Sequence, residues 1–319
     1  MPALSTIPSE AGTRRPAPTG AADPRPATGR FATSLRRNLT AHGFLIGAVL
    51  CFAVFSWYPM IREVLLAFQR TESGRTTWVG LDNFRTVADD PAFWQAWGNT
   101  VLYTALALVL GFAVPFVAAL VINEFRHAQA YLRLLVYLPV MLPPVAAVLL
   151  FKYLYDPGYG LLNELFGFLG LPEQQWLQDP DLSLLAVVVA STWMNMGGAT
   201  LIYLAALQTI PGELYEAAEL DGAGLLRKIW HVTVPQTRLV LSLMLLMQVI
   251  ATMQVFVEPF LLTGGAGPEG STTTVVYLIY QYAFSFNNYG AAAALGLMLL
   301  VLLAGFSAAY VKLSRAEDE

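Results

Sequence analysis

The sequence is poor in charge, poorer in histidine and almost without cysteine. Of its 319 residues only 13% are charged, against roughly 25% in a soluble domain. A mean hydropathy of +0.55 implies more apolar surface than a pair of water-facing domains can bury. A bilayer is therefore the solvent for most of the chain. The lone Cys51 excludes an intramolecular disulfide and a thiolate metal cluster, and its apolar neighbours suggest a packed thiol within the membrane. The three histidines, His42, His127 and His231, fall at or beyond the ends of apolar runs. There is no His-Glu-x-x-His pair and no Gly-x-Ser-x-Gly, and without a base deep in a span a membrane hydrolase lacks its dyad. No catalytic residue and no metal ligand is assigned. A Gly-x-x-x-x-Gly-Lys-Ser/Thr phosphate loop is also missing, so this chain is not expected to bind ATP in that way or to carry a cofactor. Nothing resembles the filter or selectivity ring of a channel. A net charge of −4 and a pI near 5.4 argue against nucleic acid as a partner.

What the chain does have is long uncharged runs. About 20 apolar residues at 1.5 Å rise cross a hydrocarbon core of roughly 30 Å. Six runs qualify: Phe44 to Ile61, Val101 to Ile122, Leu134 to Phe151, Leu182 to Gln208, Leu239 to Val257 and Gly290 to Val311. The run Val275 to Phe286 is too short to cross and reads as an interfacial or extended outer segment. Residues 1–40, with six prolines scattered among Ala, Thr, Ser and Arg, read as a disordered cytoplasmic tail. Arg14-Arg15 is followed by Pro16 instead of an apolar core, unlike a twin-arginine signal. The expected organisation is this tail, a six-span domain over residues 41–315 and a short cytoplasmic end at 316–319. The prolines are expected to bend or break their helices: Pro59 closing the first span, Pro115 interrupting the second, and Pro139, Pro143 and Pro144 crowding the third. Such breaks fit either a solute pathway or simple packing kinks.

Six spans place both termini on one side. Thirteen of the eighteen Lys and Arg residues lie on that side, and the loops from Asp156 to Asp181 and from Thr263 to Asn288 contain none. The positive-inside bias makes the terminal side cytoplasmic.

The most informative segment is the loop over residues 211–236. Pro211 can open a helix, with Glu213 and Glu216 favouring its positive end, and Gly222 supplies a stop. A second short helix is expected from Asp221, as N-cap, to Pro235. Ala217 and Ala218 leave one side of the first helix nearly bare, open to close approach by another protein. Anionic lipid headgroups would repel its Glu213, Glu216, Glu219 and Asp221.

Glu216-Ala217-Ala218, three residues, Gly222, nine residues, Val232, one residue and Val234-Pro235 resembles the EAA loop of inner-membrane permease subunits of ABC importers. Val232 and Val234 replace the more usual Ile and Leu. Asp221-Gly222-Ala223, with Trp230 and Thr233, resembles the carbohydrate-uptake branch, of maltose and glycerol-3-phosphate type. Tyr58-Pro59, Val79-Gly80-Leu81-Asp82-Asn83-Phe84, Asp90-Pro91-Ala92-Phe93-Trp94, Asn99-Thr100 and Leu262-Thr263-Gly264-Gly265 with Gly267-Pro268 extend the likeness. Among these, the Leu262 to Pro268 segment resembles the first permease of a pair.

The resemblance implies an all-α membrane protein with the architecture of a type I ABC importer permease, in a bacterial-type inner membrane. Its partners would be a second permease, an ABC ATPase dimer that uses the ATP, and an extracytoplasmic solute-binding protein. The cargo would be a carbohydrate, or another solute such as glycerol-3-phosphate. Glu216, Ala217, Ala218, Asp221, Gly222, Ala223 and Pro235 would couple the spans to the ATPase. Glu216 could hydrogen-bond that partner or cap its own helix.

Polar residues inside spans are costly and mark a pathway or an interhelical bond. The fourth span offers Trp193 and Asn195, the fifth Gln248, Thr252 and Gln254. Trp193, Asn195, Gln248 and Thr252 together supply the aromatic face, amides and hydroxyl that a sugar needs. Glu258, just before Pro259, is expected at the outer rim instead of in the solute site.

Overall fold

The computed structural model describes residues 45–72, 75–125 and 127–316. The tail expected over residues 1–40 lies outside them, as do residues 317–319. The chain divides into two compact units at Pro59 and Met60. In the first unit the described residues begin helix α1 (Leu45–Ala67), which continues into the second.

Pro59 does not close α1. A π turn over Ala53–Trp57 precedes it, with the Tyr58 N–H bonded to the Ala53 carbonyl. A proline in a regular helix collides with the carbonyl four residues back, and the wider turn relieves that collision. Cys51 is exposed on α1 instead of packed by this chain.

The second unit continues with a hairpin, β1 (Gln69–Glu72) and β2 (Arg75–Trp78), antiparallel with Gln69 opposite Trp78. Helix α2 (Asp82–Ala88) follows. Its buried Asn83 donates to the Ala67 and Gln69 carbonyls at 3.0 and 2.8 Å, fixing the hairpin to the end of α1.

Helix α3 (Pro91–Glu124) opens on Asp90, whose carboxylate accepts the Ala92 N–H at 2.9 Å. It runs unbroken through Pro115, so the interruption expected there does not occur; Pro115 is buried within the helix. The third apolar run does break. Helices α4 (Gln129–Met141) and α5 (Pro144–Leu154) meet at 99°, where Pro143 and Pro144 remove successive donors. Helix α6 (Leu161–Phe168) precedes α7 (Pro180–Leu207), capped by Asp179.

Helix α8 (Gly212–Leu220) leads to α9 (Leu225–Met253), then to α10 (Val257–Thr263). The run Val275 to Phe286 is helical instead of extended. It forms α11 (Val275–Tyr280) and a π turn, and buries Val275, Leu278 and Tyr282 against α12 (Tyr289–Ala316).

Among the described residues five helices are long and apolar enough to cross a membrane, and the bent α4–α5 pair makes a sixth. The most extensive packing joins α3 to α7. One core holds Tyr103 and Ala107 of α3, Val148 and Phe151 of α5, and Val187, Ala190 and Met194 of α7. Gly197 lets α7 approach α4 closely, since a Cβ there would stand 2.6 Å from the Val136 carbonyl oxygen. The outward faces carry exposed Leu, Val and Phe side chains, as lipid-facing surfaces do.

Candidate functional site

The loop between α7 and α9 carries α8 and a glycine turn. α8 ends on a paired C-terminal bond pattern: the Gly222 N–H reaches the Glu219 carbonyl and the Ala223 N–H the Ala218 carbonyl, both at 2.9 Å. This requires a left-handed residue at the turn, and Gly222 has φ +73°. Asp221 caps the end of α8 instead of starting the next helix, which begins after Gly224. Nor does that helix stop at Pro235. A π turn over Ile229–Thr233 precedes the proline, with the Val234 N–H bonded to the Ile229 carbonyl. The helix therefore runs on into the fifth span.

Two contacts bind α8 to this continuous helix. The Tyr215 hydroxyl lies 3.0 Å from Thr233 Oγ1, and Lys228 Nζ donates to Glu219 Oε1 at 2.6 Å. Glu216 and Ala217 stay exposed, and Ala218 is half-buried. The structure adds an apolar set that charge-based reading of the loop passed over. Leu220 is 91% exposed, Leu226 73% and Trp230 67%. The sequence signal was there: bulky apolar residues on both sides of the Gly222 turn, in a segment outside the spans.

The polar residues of the spans separate into different settings. The Trp193 ring packs edge-on against Phe151, centroids 5.4 Å apart, on the flank of the core. Gln248 reaches across to the Ala107 carbonyl at 3.3 Å, over Gly111, where a Cβ would lie 2.6 Å from its Nε2. Thr252 is buried and its hydroxyl returns to the Gln248 and Val249 carbonyls. Asn195 is exposed, and its Nδ2 donates to the Ser191 carbonyl at 2.9 Å and to Glu258 Oε1 at 3.2 Å.

Glu258 thus sits beside Asn195, near the middle of α7, and not at an outer rim. The cause is the break after Met253: Gln254 to Phe256 leave the helix, and α10 packs back against α5 and α7. Ser191 Oγ completes the group, donating to Glu258 Oε1 at 3.3 Å. Pro259 next to the acid was the sequence sign of a turn at that depth.

Residues 111–317 match the family described as binding-protein-dependent transport system inner membrane component. The chain belongs to this family. It is a multi-pass component of a transport system and not an enzyme. The matched segment contains both the α8 loop and the Asn195–Glu258 group. The chain is 34% identical to the probable ABC transporter permease protein YurN of Bacillus subtilis (strain 168), over 86% of this chain and 96% of the relative. It is 30% identical to the arabinooligosaccharides transport system permease protein AraP of the same organism, over 94% and 97%. Among solved structures it is similar to a bacterial ABC transporter involved in import of the acidic polysaccharide alginate. The TM-score is 0.77 at 25% identity, covering 90% of this chain and 99% of that one.

Proposed function

We propose that this permease moves a carbohydrate into the cell, with ATP used by a separate ABC ATPase dimer. The ATPase docks on Glu216, Ala217, Ala218 and the Asp221-Gly222-Ala223 turn, with Leu220, Leu226 and Trp230 as apolar anchors. A second permease completes the pathway, and an extracytoplasmic solute-binding protein delivers the sugar. The α8 loop and both termini face the cytoplasm, where the positive-inside bias puts them. The observation that carries this reading is the uninterrupted helix from Leu225 to Met253, which ties a small-residue docking helix to a span. The names of the relatives support the cargo class. A phosphorylated solute such as glycerol-3-phosphate would need a base along its path, whereas the polar group of α7 and α10 holds a carboxylate.

The test is to purify the cognate binding protein, identify its retained solute by mass spectrometry, and measure uptake of that solute with and without this chain. A carbohydrate taken up only with the chain and ATP is the expected result. Retention of a peptide or a phosphorylated polyol instead would end the carbohydrate assignment.

A further inference from the structure

Resting on the carbohydrate reading, the geometry points to Glu258 as a charge filter that admits neutral or amino sugars and turns away acidic ones. Three observations carry it. First, the carboxylate is held in place: Ser191 Oγ and Asn195 Nδ2 both donate to the same oxygen, Oε1. Oε2 has no protein hydrogen-bond donor among the described residues. One oxygen is anchored while the other is left to meet a solute hydroxyl or ammonium group.

Second, neither described ion pair involves Glu258; they join Arg85 to Asp82 and Lys228 to Glu219. Its two hydrogen-bond partners, Ser191 and Asn195, are uncharged and cancel none of its charge. At membrane depth, where water is scarce, a charge acts on a neighbouring charge more strongly than it does in water.

Third, the position is built by a break in the chain. α9 ends at Met253 and α10 turns back along α7, which brings the acid to exposed Asn195 and half-buried Ser191. A structural role alone would be served by a glutamine, which could accept the same two bonds without the cost of a charge.

The importer is assembled in nanodiscs without its binding protein, so that selection by that protein does not enter. Binding of maltotriose, chitobiosamine and a glucuronate disaccharide is measured for the native chain, Glu258→Gln and Glu258→Asp. The native chain is expected to bind the uronate about tenfold more weakly than maltotriose. Glu258→Gln should close that gap by improving the uronate while leaving maltotriose nearly unchanged, and should weaken the amino sugar. Glu258→Asp should keep the native order. A gap that persists in Glu258→Gln, in a complex that assembles as the native one does, overturns the filter. Binding of maltotriose lost equally in both variants overturns it too, by making Glu258 purely structural. Absence of binding by all three sugars to the native complex fails the carbohydrate reading itself, and the filter with it.

Discussion

The Tyr215 hydroxyl and Thr233 Oγ1, 3.0 Å apart, join the exposed helix α8 to the π turn from which the fifth span continues. With the ATPase docked on α8 as proposed, this contact is a short route from α8 to the membrane. Removing either hydroxyl should loosen that route while leaving both helices intact. Such a bond is worth about 1 kcal/mol net, so Tyr215→Phe and Thr233→Val should each lower ATP-coupled uptake several-fold. The double variant should be no worse than the single ones, because both remove the same bond. Additive losses would show that the two residues act separately.

Gly222 tests the turn itself. Nothing lies within 4 Å of a Cβ built there, yet φ is +73°, so the cost of substitution is conformational. A left-handed residue with a Cβ costs roughly 1–2 kcal/mol, and Asn less than most. Gly222→Leu should insert normally, lose uptake and recruit less ATPase, while Gly222→Asn should retain most of both. Full uptake by Gly222→Leu would remove the turn from the coupling path.

Much of this loop was legible in the sequence because its signals are local. Pro211 opens α8, and the alanines and Gly222 do the work of their own positions. The two errors at Asp221 and Pro235 share a cause. A residue type that favours an N-cap also fits a C-cap, and a proline stops only a regular helix. The π turns at Ala53–Trp57 and Ile229–Thr233 carry the chain past Pro59 and Pro235, and a π turn has no strong residue signature. Glu258 was misplaced for a different reason. Its depth depends on α10 folding back onto α7, a tertiary event that hydropathy along the chain does not record.

Gly197 probes the packing of α4 against α7. Here the obstacle is backbone: a Cβ would meet the Val136 oxygen at 2.6 Å and the Tyr137 Cα at 3.0 Å. Neither can swing aside as a side-chain tip would. Gly197→Ala should cost about 1–3 kcal/mol, seen as a lower apparent Tm in detergent. Gly198→Ala, with nothing within 4 Å, should be near neutral. Equal melting of the two variants would mean that the helices part at little cost.

Tyr282 offers a test outside the spans. Its hydroxyl donates to Asp90 Oδ2, while Asp90 Oδ1 caps α3 through the Ala92 N–H, so one carboxylate ties the π turn after α11 to the start of a span. Burial raises the Tyr282 pKa above its ordinary value of 10.0, and the Asp90 hydrogen bond and charge raise it further. A folded-state pKa above the unfolded one means that the folded chain holds the phenolic proton more tightly. The stabilisation is fully present below about pH 10 and is lost as pH climbs toward the raised value. A bond to a charged group contributes about 1.5–3 kcal/mol. Tyr282→Phe should therefore melt several degrees below the native chain at about pH 8, with the difference narrowing above about pH 10. A difference that stays constant across that range would show that loss of the hydroxyl acts through packing and not through its proton.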